Sequence, residues 1–318
     1  LKALRPLAVL AAYLGIAALI TYPLVLRIGE AFAGFPYGDA YESARHMWWM
    51  THALRSGQPL FFQPLLAYPD GLPGLTLQAT PLLLFPGWLF ALALPLPIAY
   101  NLHVLLTLAL NGWAMYGFAR ALTGRRDAAS LAGVIFMSYP TLQGHLGASH
   151  LNILAQWGVP LYAWGLWRLT QTDDSDNTDA PLRVPTTFVV AVAFVAVAWA
   201  HTIQVIYTLM PITAFFAIRV LLRRTKPTAE TQGTQRSAQF SASPASLRSK
   251  SSIFRRDIPV LRRIVLAAGL GAALTLLWLL PVLGDAFGGA YASDGGAVRY
   301  SADLLAAVTP SFFHPLWG

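Results

Sequence analysis

Hydrophobic positions in this chain gather into long blocks instead of alternating with polar ones. Residues 7–26 are almost wholly apolar, and similar blocks cover 98–119, 128–142, 151–169, 185–200, 202–220 and 264–283. A bilayer core takes about 20 apolar residues per helix, so the pattern predicts about seven transmembrane helices; the short block 128–142 is expected to extend at both ends. An eighth block, 81–97, is short and contains Pro86-Gly87. It fits a span, a re-entrant segment or an interfacial helix. Polar residues concentrate where the first block stops, in "YGDAYESARHMWWM" at 37–50. Asp39 to Ser56 reads there as an amphipathic helix closed by Gly57. Tyr41, Ala44, Trp48 and Leu54 fall near one face, and Glu42, Arg45, His46 and His52 toward the other. Such a helix suits the membrane surface, with Trp48 and Trp49 as interface anchors.

Composition agrees with that pattern. The 318 residues are 56% hydrophobic and 11% charged, against about 25% charged in soluble domains. The expected class is an all-α integral membrane protein. There is no cysteine, which excludes disulfides and thiolate metal sites. The net charge of +8 reports topology in such a chain, and no nucleic-acid partner is expected. Block 7–26 is too long for a signal-peptide core and more spans follow, so it reads as a retained helix.

Cation placement selects the topology. If 81–97 does not span, Arg120, Arg125 and Arg126 are cytoplasmic, with Arg168, Arg183 and the run from Arg219 to Arg263. Only Arg27, Arg45, Arg55 and Arg299 then lie outside, leaving eighteen of the 22 cations inside. The expectation is seven spans, a cytoplasmic N-terminus and a re-entrant or interfacial 81–97. The histidines, which played no part in that choice, all fall toward the outer side: His46, His52, His103, His145, His150, His201 and His314. Residues 1–222 are thus expected to form a transmembrane module with an outer loop at 28–97. Residues 223–258 read as a basic disordered linker, of which 225–252 is too poor in apolar residues to fold. Residues 259–284 read as a further span and 285–318 as a truncated outer loop. The acidic run 171–180 reads as a solvated connector, since it lacks the Gly and terminal Glu of a calcium loop.

The candidate chemistry is therefore outside. Asp39-x-x-Glu42 is a capping box, so Asp39 is a helix cap, a catalytic carboxylate, or both. "YPDG" at 68–71 is turn chemistry first, with Asp70 as a secondary site candidate. The second outer loop brings Gln143, His145, Ser149, His150, Asn152 and Gln156 together. These line a site, or else form a helix-breaking loop with Ser149 as a cap. A divalent metal on Asp39 and His150 stays open, since the His145/His150 spacing does not match a helical zinc pair. Asn101, His103 and Asn111 are expected to make interhelical hydrogen bonds. His201 and Gln204 are either turn residues or site lining. Arg299, in a Gly-rich late segment, is a phosphate-binding candidate or an interface anchor.

Taken together, these features resemble the GT-C superfamily of membrane glycosyltransferases, which take sugars from polyprenyl-phosphate carriers. "YGDAYE" at 37–42 is similar to that family's acid motif after the first span. "YNLHVLLTLALNGWAMYGFARALTGRRDAASLAGVIFMSYP" at 100–140 is similar to its second and third spans. The stretch from "GDAYE" to "AYPDG" resembles most a group of bacterial multispan proteins that continue past an "HPLWG"-like end, which implies a longer parent. The resemblance implies an inner-membrane enzyme with its active face outside and Asp39 as general base. Glu42, Arg45, His46, Asp70, His145, His150, Asn152 and Arg299 would surround a polyprenyl-phosphate-sugar donor, and no nucleotide cofactor is expected. The acceptor (glycan, lipid or protein) stays open. One departure stands out: "GASHLNIL" carries no carboxylate where related transferases have a second acid. The alternative is a non-catalytic protein of the same fold that binds or transports lipid-linked saccharides, or an envelope scaffold.

Overall fold

The computed structural model describes residues 4–36, 38–66, 68–73, 79–171, 185–222 and 245–287. The fold they form is mostly helical, and three helices are long and apolar enough to cross a membrane: Leu96–Thr123, Val205–Leu222 and Ile258–Gly284. Residues 1–278 form one compact unit; of the second unit, 279–318, only the end of the last helix is described. Arg299, Asp294, Asp303, His314, Tyr37 and the connector 172–184 lie outside the described residues.

Helix α1 (Leu4–Ile20) ends earlier than its apolar block. Thr21 turns its hydroxyl back to Ala17 O at 2.9 Å, and Pro23 has no N–H with which to continue the ladder. Residues 21–30 instead form turns around a 3-10 segment, Leu24–Arg27. Helix α2 (Ala40–Ser56) forms where the amphipathic pattern places it, and Gly57 closes it in the left-handed region at φ 68°. Its buried face differs from expectation, however. Ala40, Ala44, Met47, Met50 and Ala53 are buried, and so are His46 and Trp49. Trp48 is exposed and fits the anchor role; Trp49, at 1% exposure, is a core residue. Two consecutive positions on a helix point about 100° apart, so only one of the pair can face out.

A two-stranded antiparallel hairpin follows, β1 (Phe62–Gln63) and β2 (Leu72–Pro73), with the "YPDG" turn between them. Helix α3 (Pro81–Ala91) has 11 residues, about 16 Å at 1.5 Å per residue. It is too short to cross a core of ~30 Å alone. Helix α4 (Leu96–Thr123) is the hub: it packs against α1, α2 and α3, and against α5 (Arg126–Ser138) and α8 (Gly158–Leu169). Tyr13 of α1 wedges between α4 and α5, with its hydroxyl on Ser130 O at 3.1 Å. A Cβ at Gly133 would lie 2.0 Å from that hydroxyl oxygen, so only glycine leaves room for the wedge.

Two expected spans are interrupted. Block 128–142 breaks at Tyr139, which is extended (ψ 151°) ahead of Pro140; α6 (Pro140–Gly147) then starts. A residue before proline is disfavoured in helical geometry. Block 151–169 splits into one turn, α7 (Leu151–Leu154), and α8. Asn111 of α4 holds this break: its Nδ2 donates to Leu154 O at 2.8 Å and its Oδ1 accepts from Gln156 N at 3.0 Å. Irregular backbone among apolar helices persists where a side chain satisfies the freed groups.

The second half is simpler. Helix α9 (Thr186–Ala200) packs on α8, and a π-helical turn, Val205–Leu209, runs into α10 (Met210–Leu222). Helix α11 (Ala245–Phe287) begins inside the stretch expected to be a disordered linker. Its first residues continue the helical register of the apolar part instead of remaining coil. Two buried clusters result. One centres on Tyr13, Met47, Leu84, Tyr100, Leu108 and Met137, the other on Tyr162, Leu166, Val190, Phe194, Leu209 and Ile264.

Candidate functional site

The segment leading into α2 is stitched to the α6–α7 corner, more than a hundred residues later. Phe35 N donates to Gly147 O at 2.5 Å, and Asp39 N donates to Ala148 O at 3.0 Å. Ser149 Oγ and Tyr100 Oη both donate to Ala33 O, each at 3.2 Å. Asn101, fully buried, completes the clamp: it accepts from Ala33 N at 2.9 Å and donates to Ile28 O at 2.9 Å and Ala31 O at 2.6 Å. Glycine permits the closeness. A Cβ on Gly34 (φ 128°) would fall 1.8 Å from Ser149 Oγ, and one on Gly38 would fall 2.7 Å from Ala148 O. Ser149, expected either to line a site or to cap a helix, has φ 64° and bonds within this seam.

The seam fixes Asp39 beside the histidines of the second loop. Asp39 holds the N-cap position of α2 but makes no side-chain cap bond. Its carboxylate, 57% exposed, lies 3.5 Å from His150 Nε2. His150 Nδ1 is in turn 3.0 Å from His145 Nδ1. An ionised Asp39 favours the proton of His150 on Nε2, which leaves Nδ1 to accept from His145. Burial, and secondly the neighbouring His150, hold His145 below the usual histidine range. Among the described residues no group of three or more His, Asp or Glu side chains could hold a metal ion.

A second polar group sits further along α2. Arg45 NH1 donates to Gln63 Oε1 at 2.5 Å. Arginine can only donate, so the Gln63 oxygen faces it and its NH2 group faces His46 Nδ1 at 2.9 Å. His46 Nδ1 therefore accepts, while its Nε2 lies between Arg45 NH2 at 3.3 Å and Glu42 Oε1 at 3.4 Å. Burial first, then the charge of Arg45, pull His46 below its ordinary value, against Glu42. The hairpin thus supplies Gln63, a residue the amphipathic pattern did not flag. Arg45 NH2 also lies 4.0 Å from Glu42 Oε1, so its guanidinium is oriented by Gln63 and Glu42 together.

Other candidates lie apart. Asp70 is exposed in the hairpin turn, without a bond to either group. Asn152 Oδ1 accepts from its neighbour Ile153 N at 3.0 Å. Asn101 and Asn111 do make inter-element hydrogen bonds, though to backbone. His103 is buried on α4 and faces the backbone of Leu83 on α3, with neither ring nitrogen in regular hydrogen-bond geometry. His201 is a turn residue whose Nδ1 accepts from Ile203 N at 3.2 Å. Near the seam lies a cavity of about 370 Å³ whose lining includes Leu24, Arg27, Phe35, Gln143 and Gly147; Arg27 was not among the expected site residues. The chain matches no family model, no curated protein and no solved structure.

Proposed function

We propose that this protein is a membrane glycosyltransferase of the GT-C type, with Asp39 as general base toward a polyprenyl-phosphate-linked sugar. The observation that carries the reading is one exposed carboxylate, fixed by backbone bonds at the start of α2 and adjoining the His150–His145 pair. Asp39 takes the proton of an acceptor hydroxyl while that oxygen attacks the anomeric carbon. The bond from that carbon to the lipid phosphate breaks, and the lipid phosphate leaves with the electron pair. A direct attack of this kind inverts the anomeric centre. The reading includes about seven crossings of a bacterial inner membrane, an inward N-terminus and Asp39 on the outer side, as the cation distribution favours.

Asp39→Asn is expected to abolish sugar transfer in membranes supplied with a polyprenyl-phosphate sugar, at unchanged protein level. Transfer retained in that variant rejects the assignment. A second reading, binding of lipid-linked saccharide without chemistry, is favoured by the absence of a carboxylate from 147–157. It predicts that the donor binds and is never consumed.

A further inference from the structure

The Gln63 amide joins the hairpin to α2 under a constraint that only one protonation state of His46 meets. Gln63 is 4% exposed and His46 5%, so neither has water as a ready substitute partner. Among the described residues, the hairpin's side-chain hydrogen bonds to α2 run through Gln63 alone. Its Oε1 accepts from Arg45 NH1, and its Nε2 donates to His46 Nδ1. Turning the amide over would set its NH2 group against a guanidinium, which has donors only. Arg45 therefore fixes the amide, and His46 must offer a lone pair at Nδ1. A second proton on the ring removes that lone pair and sets N–H against N–H across 2.9 Å. It also brings a positive ring to 3.3 Å from Arg45 NH2. A buried donor left without its acceptor costs its full desolvation, more than the bond contributed when intact.

We propose that the β1–β2 hairpin is a proton-released latch on α2, docked while His46 is neutral and freed when the ring takes a second proton. The moving part is small: each strand has two residues, and Leu60 and Phe61 just before them pack against the first buried cluster, which holds the base in place. The ionisable groups facing His46 are Glu42, at 3.4 Å and 54% exposed, and Arg45. Tyr68 and Asp70 of the hairpin sit exposed at its turn. Helix α3 carries no ionisable side chain, and on α4 Tyr100 and His103 turn to Ala33 and Leu83. Burial first, then Arg45, against Glu42, hold the docked ring below the ordinary histidine range. Release raises its proton affinity, so the latch is closed at neutral pH and opens at acid pH, below about 6.5. The device goes beyond glycosyl transfer, since it operates whether or not chemistry follows.

The test uses the full chain in nanodiscs. There is no cysteine in it, so introduced pairs carry spin labels without background. Labels on Leu54→Cys and Leu65→Cys, both exposed positions, report the distance from α2 to the hairpin. A reference pair on Leu122→Cys and Leu131→Cys, also exposed, reports α4 against α5. Between about pH 7.5 and about pH 4.5 the first distance is expected to lengthen and broaden while the second stays fixed. A first distance that never changes, or two that change together as in global unfolding, overturns the latch. His46→Asn presents an amide oxygen that accepts as Nδ1 does and never titrates, so its hairpin is expected to stay docked throughout; release like that of the unaltered chain overturns the proposal. Should that variant not fold, Glu42→Lys is expected to move the midpoint of release down by roughly half a pH unit, because an attractive i,i+4 neighbour becomes a repulsive one. A midpoint unmoved or raised there is equally fatal.

Discussion

Residues 4–157 and 158–278 solve one problem differently. The described residues of the second stretch are joined mainly by apolar contact, with Tyr162 bonded to Thr213 at 2.6 Å between helices. The first contains the broken helices, the hairpin and the seam, and its irregular backbone is held by Asn101, Asn111, Tyr100 and Ser149. The exposure of the long helices follows the same division. Half of the apolar window of Leu96–Thr123 is buried, against 17% for Val205–Leu222 and 22% for Ile258–Gly284. The lesson is that polar groups gather where regular helix is abandoned, because there the freed N–H and C=O groups need them. The same places present carboxylate, imidazole and guanidinium groups for chemistry.

The sharpest way to break this contrast is at Gly34. Gly34→Ala sets a Cβ against Ser149 and forces a φ that side chains avoid, so a loss on the order of 3 kcal/mol is expected. It should appear as a lower thermal midpoint and a weaker response to any Asp39 ligand. Next comes Asn111→Ala, which strips partners from Leu154 O and Gln156 N at a cost of about 2 kcal/mol, measured by denaturant titration in detergent. Tyr162→Phe, its counterpart in the second stretch, should cost about 1 kcal/mol or less, because Thr213 keeps its bond to Leu209 O at 2.6 Å. Equal losses for the last two would erase the distinction between the regions.

A gentler probe is pH. His46 and His145 both lie below their ordinary value when folded, so unfolding raises their proton affinity. Stability is therefore full above the unfolded histidine value of about 6.5 and falls as pH drops below it. The thermal midpoint should decline between pH 7 and 5, and His46→Gln should flatten the decline. The smallest effect is expected at Gly144, where a Cβ meets nothing within 4 Å; Gly144→Ala should stay within about 0.5 kcal/mol.

Much of this was readable from the residues. The closing glycine of α2, the "YPDG" turn and the bonding roles of Asn101 and Asn111 follow from side-chain chemistry that acts locally or has few other uses. The break at Tyr139-Pro140 was legible in principle, although apolar continuity hid it. The seam was not, because backbone N–H and C=O groups carry no residue signature; only Gly34 and Gly38 hint at it. His46 stands among charged residues and looks exposed, yet Gln63 arrives from the hairpin to cover it. Arg27 was hidden for the opposite reason, since a lone cation after an apolar block looks like an ordinary interface residue.

The bond from Ser149 to Ala33 spans 116 positions, and this sets an order of assembly. A nascent chain stopped before residue 147 already carries Asp39 but lacks the carbonyls that grip it. Synthesis must pass both turns of the α6–α7 corner before the carboxylate acquires a fixed address, so premature products should be inert however well their first helices insert.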